Sequence, residues 1–155
     1  MSAEQMLIAG QWVDSENGQT AEILNPANGE VIATTPKATL ADVERCVTAS
    51  RAALNNPEWK NIDPAQRGRI LNKMAAATYA NAKTLAVLES TNNGKTFREA
   101  LSEIRFGAWT LEYFAGLADK NEGSTIPVPG NRLNYTLRQP LGVTAHIIPW
   151  NFPLQ

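Results

Sequence analysis

The sequence predicts an α/β fold, and three observations carry that expectation. Near the amino terminus, two pairs of short apolar runs stand on either side of glycine-containing turns. Through the middle, apolar residues recur at helical spacing between recognisable start and stop signals. At the far end, Val143-Thr144-Ala145-His146-Ile147-Ile148 holds six strand-forming residues without period-two alternation. A run of that kind marks a strand buried on both faces of a parallel sheet.

Composition sets the outer limits. A chain of 155 residues is long enough to bury roughly 70% of its extended surface in one domain. Fourteen basic residues against fifteen acidic ones leave a formal charge of −1, which argues against a nucleic-acid surface. No run of 18 apolar residues occurs, and Met1-Ser2-Ala3-Glu4-Gln5-Met6 has neither the basic start nor the apolar core of a signal peptide. A soluble cytoplasmic protein with no membrane partner is therefore expected. The lone cysteine, Cys46, excludes an intramolecular disulfide and suits a reducing compartment.

The elements follow in order. Leu7-Ile8 and Trp12-Val13 flank Ala9-Gly10-Gln11 as a first hairpin, with a polar loop after it. A second pairs Ala21-Glu22-Ile23-Leu24 with Val31-Ile32-Ala33-Thr34, and Asn28-Gly29 between them supplies the positive φ of a tight turn. Over 39–54 the residues Val43, Cys46, Val47, Ser50 and Leu54 share one helical face. Cys46 thus reads as a small buried hydrophobe rather than a nucleophile. Residues 55–60 read as a loop in which Trp59 anchors packing. Asp63-Pro64-Ala65-Gln66 then starts a helix, with Asp as N-cap, Pro in the first turn and Gln three residues on. Asn81 interrupts it, Leu85, Val87 and Leu88 resume, and Asn92-Asn93-Gly94 stops it.

A longer helix is expected from about Phe97 to Ala118, with Leu101, Ile104, Ala108, Leu111 and Ala115 as its buried stripe. Phe106, Trp109, Tyr113 and Phe114 widen the apolar surface. Core packing is the first reading of that aromatic face, contact with another subunit the second. Asn121-Glu122-Gly123-Ser124 ends the helix, and the prolines of 126–130 enforce an extended connection. Leu133-Asn134-Tyr135-Thr136-Leu137-Arg138 alternates, as a half-exposed strand does, before Pro140-Leu141-Gly142 turns the chain into the 143–148 run.

That run ends in Pro149-Trp150-Asn151-Phe152-Pro153, where Pro153 suits the first position of a helix. Ligands bind beyond the carboxyl ends of strands in open α/β sheets. Asn151 either satisfies backbone donors ahead of that helix or addresses a ligand. Periodicity cannot separate the two.

Several of these stretches together form a known pattern. Ala9-Gly10-Gln11-Trp12, Asn25-Pro26-Ala27-Asn28-Gly29-Glu30-Val31, Glu89-Ser90-Thr91-Asn92-Asn93-Gly94-Lys95, Tyr113-Phe114-Ala115-Gly116, Pro140-Leu141-Gly142-Val143 and, most specific, Pro149-Trp150-Asn151-Phe152-Pro153 occur in order across the whole chain. The chain resembles the amino-terminal third of the NAD(P)-dependent aldehyde dehydrogenase superfamily, and looks most like its betaine-aldehyde members. The resemblance implies a Rossmann-like fold. Residues 1–121 would be the first part of the NAD(P)-binding domain, 122–140 an oligomerisation extension, and 141–155 the first Rossmann strand with the start of the next helix.

It also implies a chemistry: a cysteine thiolate attacks an aldehyde, hydride passes to NAD or NADP, and a glutamate-activated water releases the carboxylic acid. Asn151 matches the amide that donates a hydrogen bond to the substrate oxygen as charge develops there, a task suited to a neutral donor of fixed geometry. Ile147, Ile148, Pro149 and Trp150 match the stretch along the dinucleotide, and Phe152 a residue of the substrate channel. His146, the only histidine, matches no family base. In the family the nucleophilic cysteine, the general base, the ribose-binding lysine and the glycine-rich phosphate turn fall beyond residue 155. No Gly-x-Gly-x-x-Gly occurs here, and Cys46 lies in the wrong context to substitute. A monovalent-cation site in the family maps to Leu24 and Asn92, and the neutral amide at 92 departs from its acidic ligand; no metal site is assigned. The expectation is the first part of an aldehyde-oxidising homo-oligomer, dimer or tetramer, inactive as this chain alone. The alternative is a non-catalytic truncated paralogue whose 133–138 strand adds to a partner's sheet.

Overall fold

The computed structural model describes residues 2–154, in the order of five short strands, five helices and a long carboxy-terminal arm. The first hairpin pairs β2 (Met6–Ile8) with β3 (Gln11–Val13). Ala9 and Gly10 at its tip have φ of 54° and 78°, the doubly positive turn that matches the twist of paired strands. The second hairpin pairs β4 (Thr20–Leu24) with β5 (Val31–Pro36). Its turn closes through Asn25 N–H donating to the Glu30 carbonyl at 2.8 Å, with Gly29 at φ 74°. One strand escaped the sequence reading: β1 (Ser2–Ala3) lies parallel to β5, giving the order β1-β5-β4. Two residues are too few for any periodic signal.

Helix α1 (Leu40–Asn55) begins at a capping box. The Thr39 hydroxyl accepts from Asp42 N–H, and the Asp42 carboxylate accepts from Thr39 N–H at 2.8 Å. The same carboxylate accepts from the Glu16 N–H and pairs with Arg45, so it ties the loop after β3 to the helix. Asp42 is buried and Val43 half-exposed, which corrects the expected stripe: the donors gathered on the carboxylate offset the cost of burying it. Cys46 is partly buried and lines a shallow hollow with Leu7, Ile8 and Ala49, in keeping with a packing role. The expected 55–60 loop is instead a one-turn helix, α2 (Pro57–Lys60), capped by Asn56. Trp59 there lies beneath the Arg67 guanidinium, 4.6 Å from the ring centroid.

Helix α3 (Pro64–Ala80) starts as expected, the Asp63 carboxylate accepting from Gln66 N–H at 2.8 Å. Asn81 ends it and opens α4 (Ala82–Asn93), its amide donating back to the Ala77 carbonyl. Gly94, at φ 82°, stops α4 in the left-handed conformation. A second capping box, Thr96 with Glu99, opens α5 (Phe97–Leu117). Ala82, Ala86, Ala100 and Ile104 form the core where α4 meets α5, with Leu85 and Leu101 against it. Small residues let the helices approach closely. A Cβ on Gly68 of α3 would sit 2.7 Å from the Ala115 carbonyl of α5.

The aromatic face of α5 does not enter this core. Phe106, Trp109, Tyr113 and Phe114 are about half-exposed and stack in series along the helix surface. The buried stripe Ile104, Ala108, Ala115 already fills the contact with α3 and α4, so core packing of the aromatics is overturned.

Beyond α5 two expected strands do not form as such. In 133–138 a single bridge joins Tyr135 to Thr125, and Leu133, Tyr135 and Leu137 are all exposed. The 143–148 run has no ladder partner among the described residues; Ile147 is 98% exposed. Its residues favour a strand, but a strand's backbone groups need neighbours, and none is offered here. Among the described residues no helix is long and apolar enough to cross a membrane.

Candidate functional site

The feature that brings distant residues together is Lys95, the residue after the Gly94 stop. Its ammonium is 2.7 Å from the Glu89 carboxylate of α4 and pairs with the Glu103 carboxylate of α5. A third bond, 2.7 Å long, goes to the backbone carbonyl of Asn151. The ring of Phe152 lies 4.9 Å from the same nitrogen. The ammonium donates to the Glu103 carboxylate and the Asn151 carbonyl, while Glu89 stands beside it as an ion-pair partner whose buried Oε1 accepts no hydrogen bond among the described residues.

The electrostatics favour a charged lysine. Burial works against the ammonium, but the Glu103 and Glu89 carboxylates outweigh it, and its pKa is raised above the ordinary 10.5. Glu89 is itself buried, and Lys95 Nζ is the cation beside it. Next to this cluster, Asn93 has a buried side-chain nitrogen without a hydrogen-bond partner.

The tip of the arm is a turn in which Phe152 N–H donates to the Pro149 carbonyl at 3.3 Å. Asn151 is exposed, and its side-chain amide makes no hydrogen bond among the described residues, so the amide is available to a ligand. It caps no helix here, since no helix begins at Pro153 within the described residues. The other expected site residues are not gathered around it: Ile147, Ile148 and Trp150 are 98%, 57% and 80% exposed. They offer apolar surface without an opposite wall. The His146 ring shares a hydrogen bond with the Thr144 hydroxyl at 2.9 Å.

A concavity of about 650 Å³ lies elsewhere, between Ile23 and Ile32 of the sheet, Leu85 and Leu88 of α4, and Leu154. It shares Glu89 with the lysine cluster but does not contain Asn151. Asn92 lines this cleft while Leu24 does not, so the two positions mapped to a cation are not brought into one hollow. No three His, Cys, Asp or Glu side chains gather as metal ligands among the described residues.

Sequence reasoning missed the Lys95 cluster. Glu89 and Lys95 stood inside a quoted motif without a role, and Glu103 was one of many charges on α5. The available signal was that Glu103 directly precedes Ile104, a member of the expected buried stripe, a place where a carboxylate needs a partner.

Known proteins supply the context. Residues 12–155 match the model of the aldehyde dehydrogenase family. Over 155 residues the chain is 39% identical to the cytosolic 10-formyltetrahydrofolate dehydrogenase of Xenopus tropicalis, covering 97% of this chain and 17% of that protein. It is 42% identical over 152 residues to the cytosolic aldehyde dehydrogenase 1 of Mus musculus, covering 97% of this chain and 30% of that one. The fold matches a betaine aldehyde dehydrogenase double mutant from Staphylococcus aureus, solved with NAD+, at a TM-score of 0.93 and 36% identity. That match covers 97% of this chain and 30% of the other. The chain thus spans less than a third of the length of these relatives.

Proposed function

Since the chain belongs to the aldehyde dehydrogenase family, we propose that it is the amino-terminal portion of an enzyme that oxidises an aldehyde to a carboxylic acid with NAD or NADP. The single observation that carries the reading is the Asn151 amide, unpaired and presented on a turn whose backbone Lys95 holds. In this reading the amide donates to the aldehyde oxygen as the attacked carbon becomes tetrahedral and negative charge collects there. A preformed neutral donor stabilises that charge without a proton transfer.

The residues present fit the cofactor's chemistry. Ile147, Ile148, Pro149 and Trp150 are apolar and exposed, suited to lie along a dinucleotide. Bound there, NAD(P) supplies the hydride acceptor. Phe152, on the other side of the turn, borders the path of the substrate. Residues 1–121 belong to the cofactor domain, 122–140 form an oligomerisation extension, and 141–155 open the Rossmann sheet of a homo-oligomer. A cytoplasmic location accords with the cytosolic relatives. The attack on the aldehyde and the release of the acid would rest on a cysteine and a glutamate that the family resemblance puts outside these 155 residues.

The complete protein carrying this sequence is expected to form NADH or NADPH on addition of an aldehyde, and the 155-residue chain to form none. Turnover by the short chain, or silence of the complete protein across aliphatic, aromatic and betaine aldehydes, would contradict the reading.

A second reading, an interaction module without activity, is favoured by one observation: the half-exposed aromatic row of α5 together with the exposed 133–137 apolar side chains. Co-elution of the chain with a full-length homologue as a mixed oligomer would support it; recovery of each alone would not.

A further inference from the structure

We propose that Lys95 is the positioning residue of the Asn151 turn, holding the donor amide in place through its backbone; this rests on the role given to Asn151 above. Lys95 and Asn151 are 56 residues apart, and their bond is what joins the arm's tip to the stop between α4 and α5. The ammonium is not free to wander. Glu89 and Glu103, from two helices packed on each other, hold it between two carboxylates, and its side chain is only 14% exposed. An ammonium fixed in that place donates to the carbonyl of the residue whose side chain does the work. The Phe152 ring beside the same nitrogen holds the next residue on the channel side.

The approach of the arm is built in elsewhere as well. A Cβ on Gly107 of α5 would lie 2.9 Å from the Leu154 carbonyl, so α5 is bare where the arm crosses it. The Lys95 contact at 151 and this crossing at 154 hold the turn and the residues that follow it. Loss of the ammonium leaves two neighbouring carboxylates without their cation and the turn without its tether. The amide would then sample positions away from the oxygen it must meet, and misplacement of a catalytic group by about 1 Å can cost ~10²-fold.

The test is a double-mutant cycle in the complete protein, reading the pre-steady-state rate of NADH or NADPH formation. K95M should lower that rate at least ~10-fold with the dissociation constant for the dinucleotide within about 2-fold. In an N151A background the same K95M should cost less than about 2-fold, because the group it positions is gone. K95R, which keeps the charge, should recover part of the loss. Should K95M fail to fold, E103Q loosens the same ammonium and is carried through the same cycle. Equal losses in both backgrounds, or no loss in either, would overturn the proposal. Hydrogen exchange of the 149–154 peptide provides an arm independent of activity. Exchange should rise at least ~10-fold in K95M while α3 is unchanged. If the unmutated protein oxidises no aldehyde but this exchange response appears, the functional reading fails and the anchoring stands; the reverse pattern sinks the anchoring alone.

Discussion

Two isoleucines, both expected inside, end at opposite extremes: Ile104 of α5 is 1% exposed and Ile147 of the arm 98%. The difference is not hydrophobicity. A helix satisfies its own backbone N–H and C=O groups, so α5 needs only a side-chain surface, which α3 and α4 provide. A strand must find backbone partners too. The 143–148 run meets none, and its apolar residues stay in water. The helical core around Ile104 is thus built from contacts among its own helices, while the aromatic face of α5 is left half-exposed. The arm is a sequence written for a sheet and tethered at its tip by Lys95.

The comparison is sharpened most by paired truncations. Ile104→Ala in the 155-residue chain should lower unfolding stability by roughly 2–5 kcal/mol, while Ile147→Ala should change it by less than about 0.5 kcal/mol. Urea midpoints at constant slope measure both, and equal effects would break the contrast. Next come two glycines. Gly68→Ala drives a Cβ into the Ala115 carbonyl at 2.7 Å, between two helices that cannot separate freely; a cost of about 1–3 kcal/mol is expected. Gly107→Ala meets the Leu154 carbonyl at 2.9 Å, but the arm can swing aside, so its melting temperature should fall less while protease access to the arm rises.

The smallest effects are set by pH. Lys95 has a raised pKa, so its contribution is fully present below the ordinary 10.5 and is lost as pH climbs through the raised value. Asp42 runs the other way. Hydrogen bonds from the Thr39 backbone and the Arg45 side chain hold it well below the usual carboxylate range. Its contribution is present above its ordinary 3.8 and is lost as pH falls through the lowered value. Alkaline titration followed by limited proteolysis should therefore release the arm before the helices melt, and acid should loosen the start of α1 first.

How far the sequence could be read follows the same physical line. Local chemistry was legible: the Asp63-Pro64 cap, the Asn81 break, the Gly94 stop and both hairpins formed where their residues called for them. What depends on a distant surface was not. The period of α5 marked the Ile104 stripe but could not tell whether Trp109 and Tyr113 face a neighbour or water. The strand character of 143–148 was plain, its lack of partners was not. At the candidate site, Asn151 stood out through its motif. Lys95, Glu89 and Glu103 come from three successive elements, and no spacing rule reports that their charges converge.

The measurement that bears most directly on Asn151 is the single-turnover rate of NADH or NADPH formation by the complete protein with Asn151→Ala. Removal of one such donor is expected to slow that step by roughly 10²–10³-fold. Dinucleotide affinity and melting temperature should hold, since the residue is exposed and its side chain supports nothing else. A rate within about 3-fold of the unmutated protein would contradict the assignment of Asn151 as the oxygen's hydrogen-bond donor.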